Sequence, residues 1–163
     1  MSGQLSQRVH WVKGIDAVAD FNDTTQYTQS VKMNGYSKAV FIVHHGVGAT
    51  GTATITMLAG DVAQAAGTTV MTNSTALPFR YEAITAGDTE GAYTAATTAG
   101  FATTAGSSQL YIIEVDAEEM GDTGYNYLQM KFAEVVNSPV LGGVIIALHG
   151  ARFAQDVPAT VIT

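Results

Sequence analysis

The run Lys38-Ala-Val-Phe-Ile-Val-His-His45 is followed, across a glycine-rich turn, by Thr52-Ala-Thr-Ile-Thr-Met-Leu58. The first run is almost continuously apolar and rich in β-branched and aromatic residues, which is typical of a strand buried on both faces. The second run places threonine at alternate positions, and threonine suits a pleated surface better than a helix. We interpret the two runs as the paired strands of a hairpin.

Further strands are predicted on both sides of this pair, at residues 30–33, 77–85, 109–116, 125–132 and 140–153. In residues 125–132 the alternation is nearly strict, and it places Tyr127, Gln129 and Lys131 on one face of a half-buried strand. The pair Gly142-Gly143 predicts a bulge or the close approach of another backbone.

No segment of 12 or more residues has the pattern of an amphipathic helix, and glycine-rich connections separate the strands. The sequence therefore predicts an all-β fold, an antiparallel β-sandwich or jelly roll. We expect residues 1–30 to form an extended N-terminal arm with at most one short strand, and residues 31–163 to form a single sandwich domain. Residues 86–108, dominated by alanine, threonine, glycine and serine, are expected to form long loops.

The composition argues against several classes of partner. The net charge is −7 and the seven lysines and arginines are scattered, so the clustered basic residues that bind nucleic-acid phosphates are missing. No apolar run reaches the roughly 18 residues that a membrane-spanning helix needs. We therefore expect neither nucleic acid nor membrane as a partner.

The glycines of Gly46-Val-Gly-Ala-Thr-Gly51 match the spacing of a dinucleotide-binding loop. That mechanism needs a helix immediately afterwards, because the N–H groups of the helix hold the pyrophosphate. A threonine-rich strand follows instead, so we interpret these residues as a turn and expect no cofactor.

The histidines and carboxylates give no clear sign of a metal site. His44 and His45 are adjacent on a strand and point to opposite faces, while His10 and His149 are far away in sequence. Five acidic residues lie close together in the sequence, and we interpret them as a solvated rim: Glu114, Asp116, Glu118, Glu119 and Asp122. The common nucleophile motif Gly-x-Ser-x-Gly is absent, and we expect no enzymatic activity.

Two groups of strands carry a resemblance to a known family. The first contains Ser30-Val-Lys-Met-Asn-Gly-Tyr-Ser-Lys-Ala-Val-Phe-Ile-Val43 and Gly51-Thr-Ala-Thr-Ile-Thr-Met-Leu58. The second contains Leu110-Tyr-Ile-Ile-Glu-Val-Asp-Ala-Glu-Glu-Met120, Gly124-Tyr-Asn-Tyr-Leu-Gln-Met-Lys-Phe132 and Ile145-Ile-Ala-Leu-His-Gly-Ala-Arg-Phe153. In order and texture these strands resemble the jelly-roll cement or decoration proteins of tailed bacteriophage heads. The resemblance covers about half of the chain and leaves out residues 86–108.

This resemblance implies a structural role on a virion, assembled in the host cytoplasm. Proteins of this kind bind the outer surface of the capsid as dimers or trimers and stabilise the head. The implied partners are the major capsid protein and further copies of the chain, as a homodimer or homotrimer. Within the arm, we expect the segment that orders on the partner to be Arg8, Val9, His10, Trp11 and Val12.

Two other functions remain open from the sequence. A carbohydrate-binding β-sandwich module shares the predicted architecture and stacks sugars on exposed aromatic rings, here Trp11, Tyr93, Tyr125 and Tyr127. A tail or baseplate structural protein of the same class of virus is the other alternative. Loop aromatics such as Tyr93 and Phe101 are equally consistent with local anchors that pin a loop.

Overall fold

A computed structural model describes residues 8–21, 23–85, 87, 89–121 and 123–151. This part of the chain is built from antiparallel strands and one short helix, α1 (Ala117–Gly121). The strands in chain order are β1 (His10–Val18), β2 (Gln26–Tyr27), β3 (Val31–Lys32), β4 (Lys38–His45), β5 (Thr52–Gly60), β6 (Thr75–Leu77), β7 (Phe79–Ile84), β8 (Thr94–Ala96), β9 (Phe101–Ala102), β10 (Gln109–Asp116), β11 (Tyr127–Val136) and β12 (Gly142–His149).

Two sheets pack face to face and enclose the core. The first has the strand order β1-β12-β4-β10-β7-β8, and the second has the order β2-β11-β5-β6, with β3 beside β11 and β9 beside β5. Early strands pair with late ones: β1 with β12, β2 and β3 with β11, and β4 with β10. This winding is that of a jelly roll, so the predicted all-β sandwich is confirmed.

The expected hairpin of β4 and β5 is wrong, because the two strands lie in different sheets. Strand β4 pairs with β12 and β10, whereas β5 pairs with β11. Each strand has one buried face, and these faces meet across the core instead of lying side by side. The buried residues are Ala39, Phe41 and Val43 of β4 and Ala53, Ile55 and Met57 of β5.

The glycines between β4 and β5 allow two loops to pack closely. Gly46 N–H donates a 2.7 Å hydrogen bond to the carbonyl of Leu141. A Cβ atom on Gly51 would collide with the carbonyl oxygen of Ser138, and one on Gly48 with the side chain of Val140. The glycine spacing therefore serves the contact between the β4–β5 and β11–β12 connections, and a strand follows it as expected.

Residues 10–18 of the predicted arm are part of the first sheet. Strand β1 is nine residues long and pairs with β12 from His10 to Val18, whereas we expected at most one short strand in this region. The register shifts after Lys13 and again after Ile15, so the polar and glycine residues that interrupt the pattern lie at irregularities of the strand. Residues 1–7 lie outside the described residues.

Strands β6 and β7 are one run in the sequence, yet they belong to different sheets. The run breaks at Pro78, which has no N–H to donate to a ladder, and the chain crosses there from the second sheet to the first. Phe79 and Tyr81 both face the core. Phe101 of β9 stacks on Tyr81 with ring centroids 3.8 Å apart, so this loop aromatic is a local anchor.

Gln129 is buried although it lies on the outward face of β11. The loop after β5 folds over it, and its Oε1 accepts a 3.0 Å hydrogen bond from the amide of Met71. Its Nε2 donates a 3.0 Å hydrogen bond to the carbonyl of Thr28. One side chain thus joins β11 to two separate segments of the chain.

Replacing this amide should weaken the fold. Gln129→Met keeps the volume but leaves the Met71 amide and the Thr28 carbonyl buried without partners, and we expect a loss of about 2 to 4 kcal/mol in the free energy of unfolding. Urea titration followed by circular dichroism measures this loss. The matched control is Lys131→Met, two residues along the same face, and an equal effect of the two substitutions would contradict the assigned role of Gln129.

Candidate functional site

Of the five residues that we expected to order on a partner, Arg8 and Val9 lie just before β1, and the other three are its first residues. Their side chains do not share one face of the sheet. Val12 points into the core and is only 7% exposed, whereas Trp11 projects from the opposite face and is 45% exposed. Arg8 is exposed. Val9 is partly buried, and the ring of His10 stacks on Tyr36 with centroids 5.9 Å apart. Val12 therefore anchors the strand, and the other four residues are at least partly accessible.

Trp11 belongs to an apolar surface on the outer side of the first sheet, which we call the sheet face. Its central row contains Ile145 of β12, Ile42 of β4 and Ile112 of β10, which are direct neighbours in the register. Ile145 is 52% exposed. The other apolar residues of the sheet face are Trp11, Val40, Ile84 and Leu110. Outward-facing isoleucines in a row expose a far more apolar surface than an ordinary solvated strand does.

A groove of about 520 Å³ runs along the sheet face beside β1. Its walls are largely apolar and include Ile15, Leu110 and Leu141. Gly143 has no side chain to fill the space, and a Cβ atom there would lie 3.1 Å from the Cα of Ala17. The close approach predicted for the glycine pair is thus present, and it leaves an apolar recess between β1, β12 and β4.

A charged cluster borders the sheet face at the ends of β4 and β10. Lys38 Nζ lies 2.7 Å from Glu114 Oε2 and 3.5 Å from Asp116 Oδ1. The hydrogen bond to Glu114 raises the pKa of Lys38. Tyr93 O–H donates to Glu114 over 3.2 Å, and the guanidinium of Arg80 lies 5.5 Å from the centre of its ring. The carboxylates of β10 therefore form part of a polar rim, while Asp122 lies outside the described residues.

The histidines do not converge. His44 is exposed on the sheet face, and His45 points into the sandwich with 1% of its surface exposed, so the prediction of opposite faces is confirmed. Among the described residues, no group of three or more histidines, cysteines and carboxylates is arranged to hold a metal ion.

The four aromatic residues considered for sugar binding are divided between two regions. Trp11 projects from β1 at one side of the sheet face, and Tyr93 lies over Glu114 and Arg80 at the other side. Tyr125 packs against the core and Tyr127 is in the second sheet, so they do not share a platform with the first two. The sequence does not reveal the sheet face, because the continuous apolar pattern of β4 predicts a strand that is buried on both sides.

Comparison with protein-family models, with curated proteins and with solved structures finds no match. Within the described ranges, the structure has no helix with the length and apolar character needed to cross a bilayer. The fold and the site together define a jelly-roll β-sandwich with an exposed, polar-rimmed apolar sheet face.

Burial of His45 should make the stability depend on pH. Burial lowers the pKa of His45 below its ordinary value near 6.5. The unfolded chain then binds the proton more readily than the folded one, so the free energy of unfolding should fall as the pH drops below about 6.5. We expect His45→Gln to make the free energy of unfolding less dependent on pH. Urea titrations between about pH 7.5 and about pH 5 measure this dependence. The exposed His44→Gln is the control, and an unchanged pH profile in His45→Gln would contradict the prediction.

Proposed function

We propose that this chain is a non-enzymatic structural protein of a virion that binds the outer surface of the capsid and stabilises the head. The resemblance of its strands to cement and decoration proteins of tailed bacteriophages supports this role. The jelly-roll winding agrees with the fold that the resemblance implies. The partners in this role are the major capsid protein and further copies of the chain.

The observation that carries the proposal is the sheet face. Soluble monomers seldom expose contiguous apolar patches larger than a few hundred Å², and larger patches mark surfaces that another molecule covers. The isoleucine row in the centre and the Lys38–Glu114 pair at the border give the surface an apolar middle and a polar rim. That arrangement is typical of protein–protein interfaces and supports a role in assembly.

The start of β1 is the proposed contact with the capsid. Arg8 and Val9 precede the first paired residue of the strand, while Val12 fixes the segment to the core. An accessible segment held by a rigid sheet loses little conformational entropy when it docks. A homodimer or homotrimer would present this segment two or three times, so modest single contacts add up through avidity and can bridge neighbouring capsid subunits.

The contact can be tested by co-sedimentation with empty shells of the major capsid protein from the same virus. We expect Arg8→Glu combined with Val9→Ser to weaken shell binding by about tenfold, because a charge reversal and a lost apolar contact act at every copy of the interface. These substitutions leave β1 and the core residue Val12 in place, so the melting temperature should stay within about 2 °C of the wild-type value.

The matched control is Lys32→Glu, which reverses a charge on β3 of the second sheet. Retained shell binding by the Arg8 and Val9 variant would remove these residues from the contact. No binding of the wild-type chain to shells would reject the capsid role. Immunogold labelling of tails instead of heads on intact virions would favour the tail or baseplate alternative.

A further inference from the structure

One row of the sheet face has opposite charges at its two ends. Across β1, β12, β4, β10 and β7 the register aligns Lys13, Ile145, Ile42, Ile112 and Glu82. All five side chains belong to the outward face, since the alternate residues of these strands point into the core. The row therefore reads positive, apolar, apolar, apolar, negative.

Such a row is complementary to itself. A two-fold axis parallel to β4 and lying above the sheet face places β4 on β4 of a second copy, β12 on β10, and β1 on β7. Ile42 then meets Ile42, Ile145 meets Ile112, and Lys13 meets Glu82 at both ends of the row. This is the reciprocal pattern that an isologous interface requires.

The next row fits the same operation. Trp11 aligns with Ala147 of β12, Val40 of β4, Glu114 of β10 and Arg80 of β7. The two-fold axis brings the exposed Trp11 ring opposite Arg80, a favourable pairing of an indole with a guanidinium. In this second row the favourable pair is therefore the one at the ends, while the axis places Ala147 of β12 opposite Glu114 of β10.

We propose that the sheet face binds the sheet face of a second copy of this chain, forming a homodimer in which the first sheets stack. The inference rests on the proposed role in assembly and names the occupant of its main surface. Stacked sheets keep their mean strand directions within about 30° of each other, and the alignment given by an axis parallel to β4 lies within that range.

The size of the surface agrees with this occupant. Five strands at a spacing of about 4.8 Å are roughly 19 Å wide, and strands of eight residues are about 27 Å long. The projected area is about 500 Å², and the accessible area of a side-chain surface exceeds its projection. Stable interfaces bury about 800 Å² on each partner, which is of the same order as this surface.

The charges at the ends of the row are available for the contact. Lys13 forms an ion pair with Asp16, but both side chains are largely exposed, at 76% and 66%. Exposed pairs of this kind contribute little and exchange easily. Glu82 has no ion pair within the described ranges.

Analytical ultracentrifugation of the full chain tests the proposal. We expect the wild type to sediment as a dimer, and Ile145→Asp to sediment as a monomer with an unchanged far-ultraviolet spectrum, because a carboxylate in the apolar part of the row would be buried without a partner. The matched control is Val62→Asp, since Val62 is 50% exposed and lies outside the sheet face. This control should remain dimeric.

Charge reversal at the ends of the row tests the pairing of Lys13 with Glu82 of the second copy. Lys13→Glu and Glu82→Lys each place like charges together twice, so each should weaken self-association on the order of tenfold. Mixed in equal amounts, the two variants should associate with each other more tightly than either associates with itself. A contact that does not place Lys13 of one copy against Glu82 of the other would not produce this rescue.

A monomeric wild type at hundreds of micromolar, a dimeric Ile145→Asp, or the absence of rescue on mixing would each overturn the inference. The shell-binding assay separates this result from the fate of the proposed function. Shell binding by a monomeric wild type would leave the capsid role intact and reject only the dimer. A dimer that shows the predicted variant behaviour but does not bind shells would support the dimer and reject the capsid role.

Discussion

The structure depends on the packing of β4 against β5 across the core. Each strand alternates strictly, so Phe41 and Val43 on one sheet must find apolar partners such as Ile55 and Met57 on the other. Because both strands contribute their inward faces to one common core, burial of these residues holds the two sheets face to face. The glycines at 46, 48 and 51 follow from it, since the connection between the layers must pass close to residues 138–141.

The same constraint explains why the first sheet has an apolar outer side. With Phe41 and Val43 satisfied inside, Val40 and Ile42 necessarily face outward, beside Ile112 and Ile145 of the adjoining strands. A solvated strand needs polar residues at such positions, and β5 has threonines there. The contrast between Val40 and Ile42 of β4 and the threonines of β5 distinguishes an apolar outer face from a polar one.

The strand positions were predictable to a large extent, and their partners were not. Strand β10 matches the predicted residues 109–116, because its alternation is uninterrupted. The two-residue period of side chains along a strand shows which residues share a face, but it does not show which strand lies beside it. The sequence therefore predicts that β4 pairs with β5, whereas the two strands lie in opposite sheets. The burial of Gln129 depends on Met71 and Thr28, which are distant in sequence, and the irregularities of β1 concealed its length. The site could have been found from β4, since a continuously apolar strand in an antiparallel sandwich implies a covered outer face.

Strand β12 is the last described element of the chain and occupies the position between β1 and β4 in the first sheet. During synthesis, both earlier strands therefore emerge long before the neighbour that they share. Both must keep unpaired edges during this interval, with the contacts of highest sequence separation forming last. A nascent chain with this topology keeps the edges of β1 and β4 open to other chains until β12 has been made, which links its tendency to aggregate to the speed of synthesis.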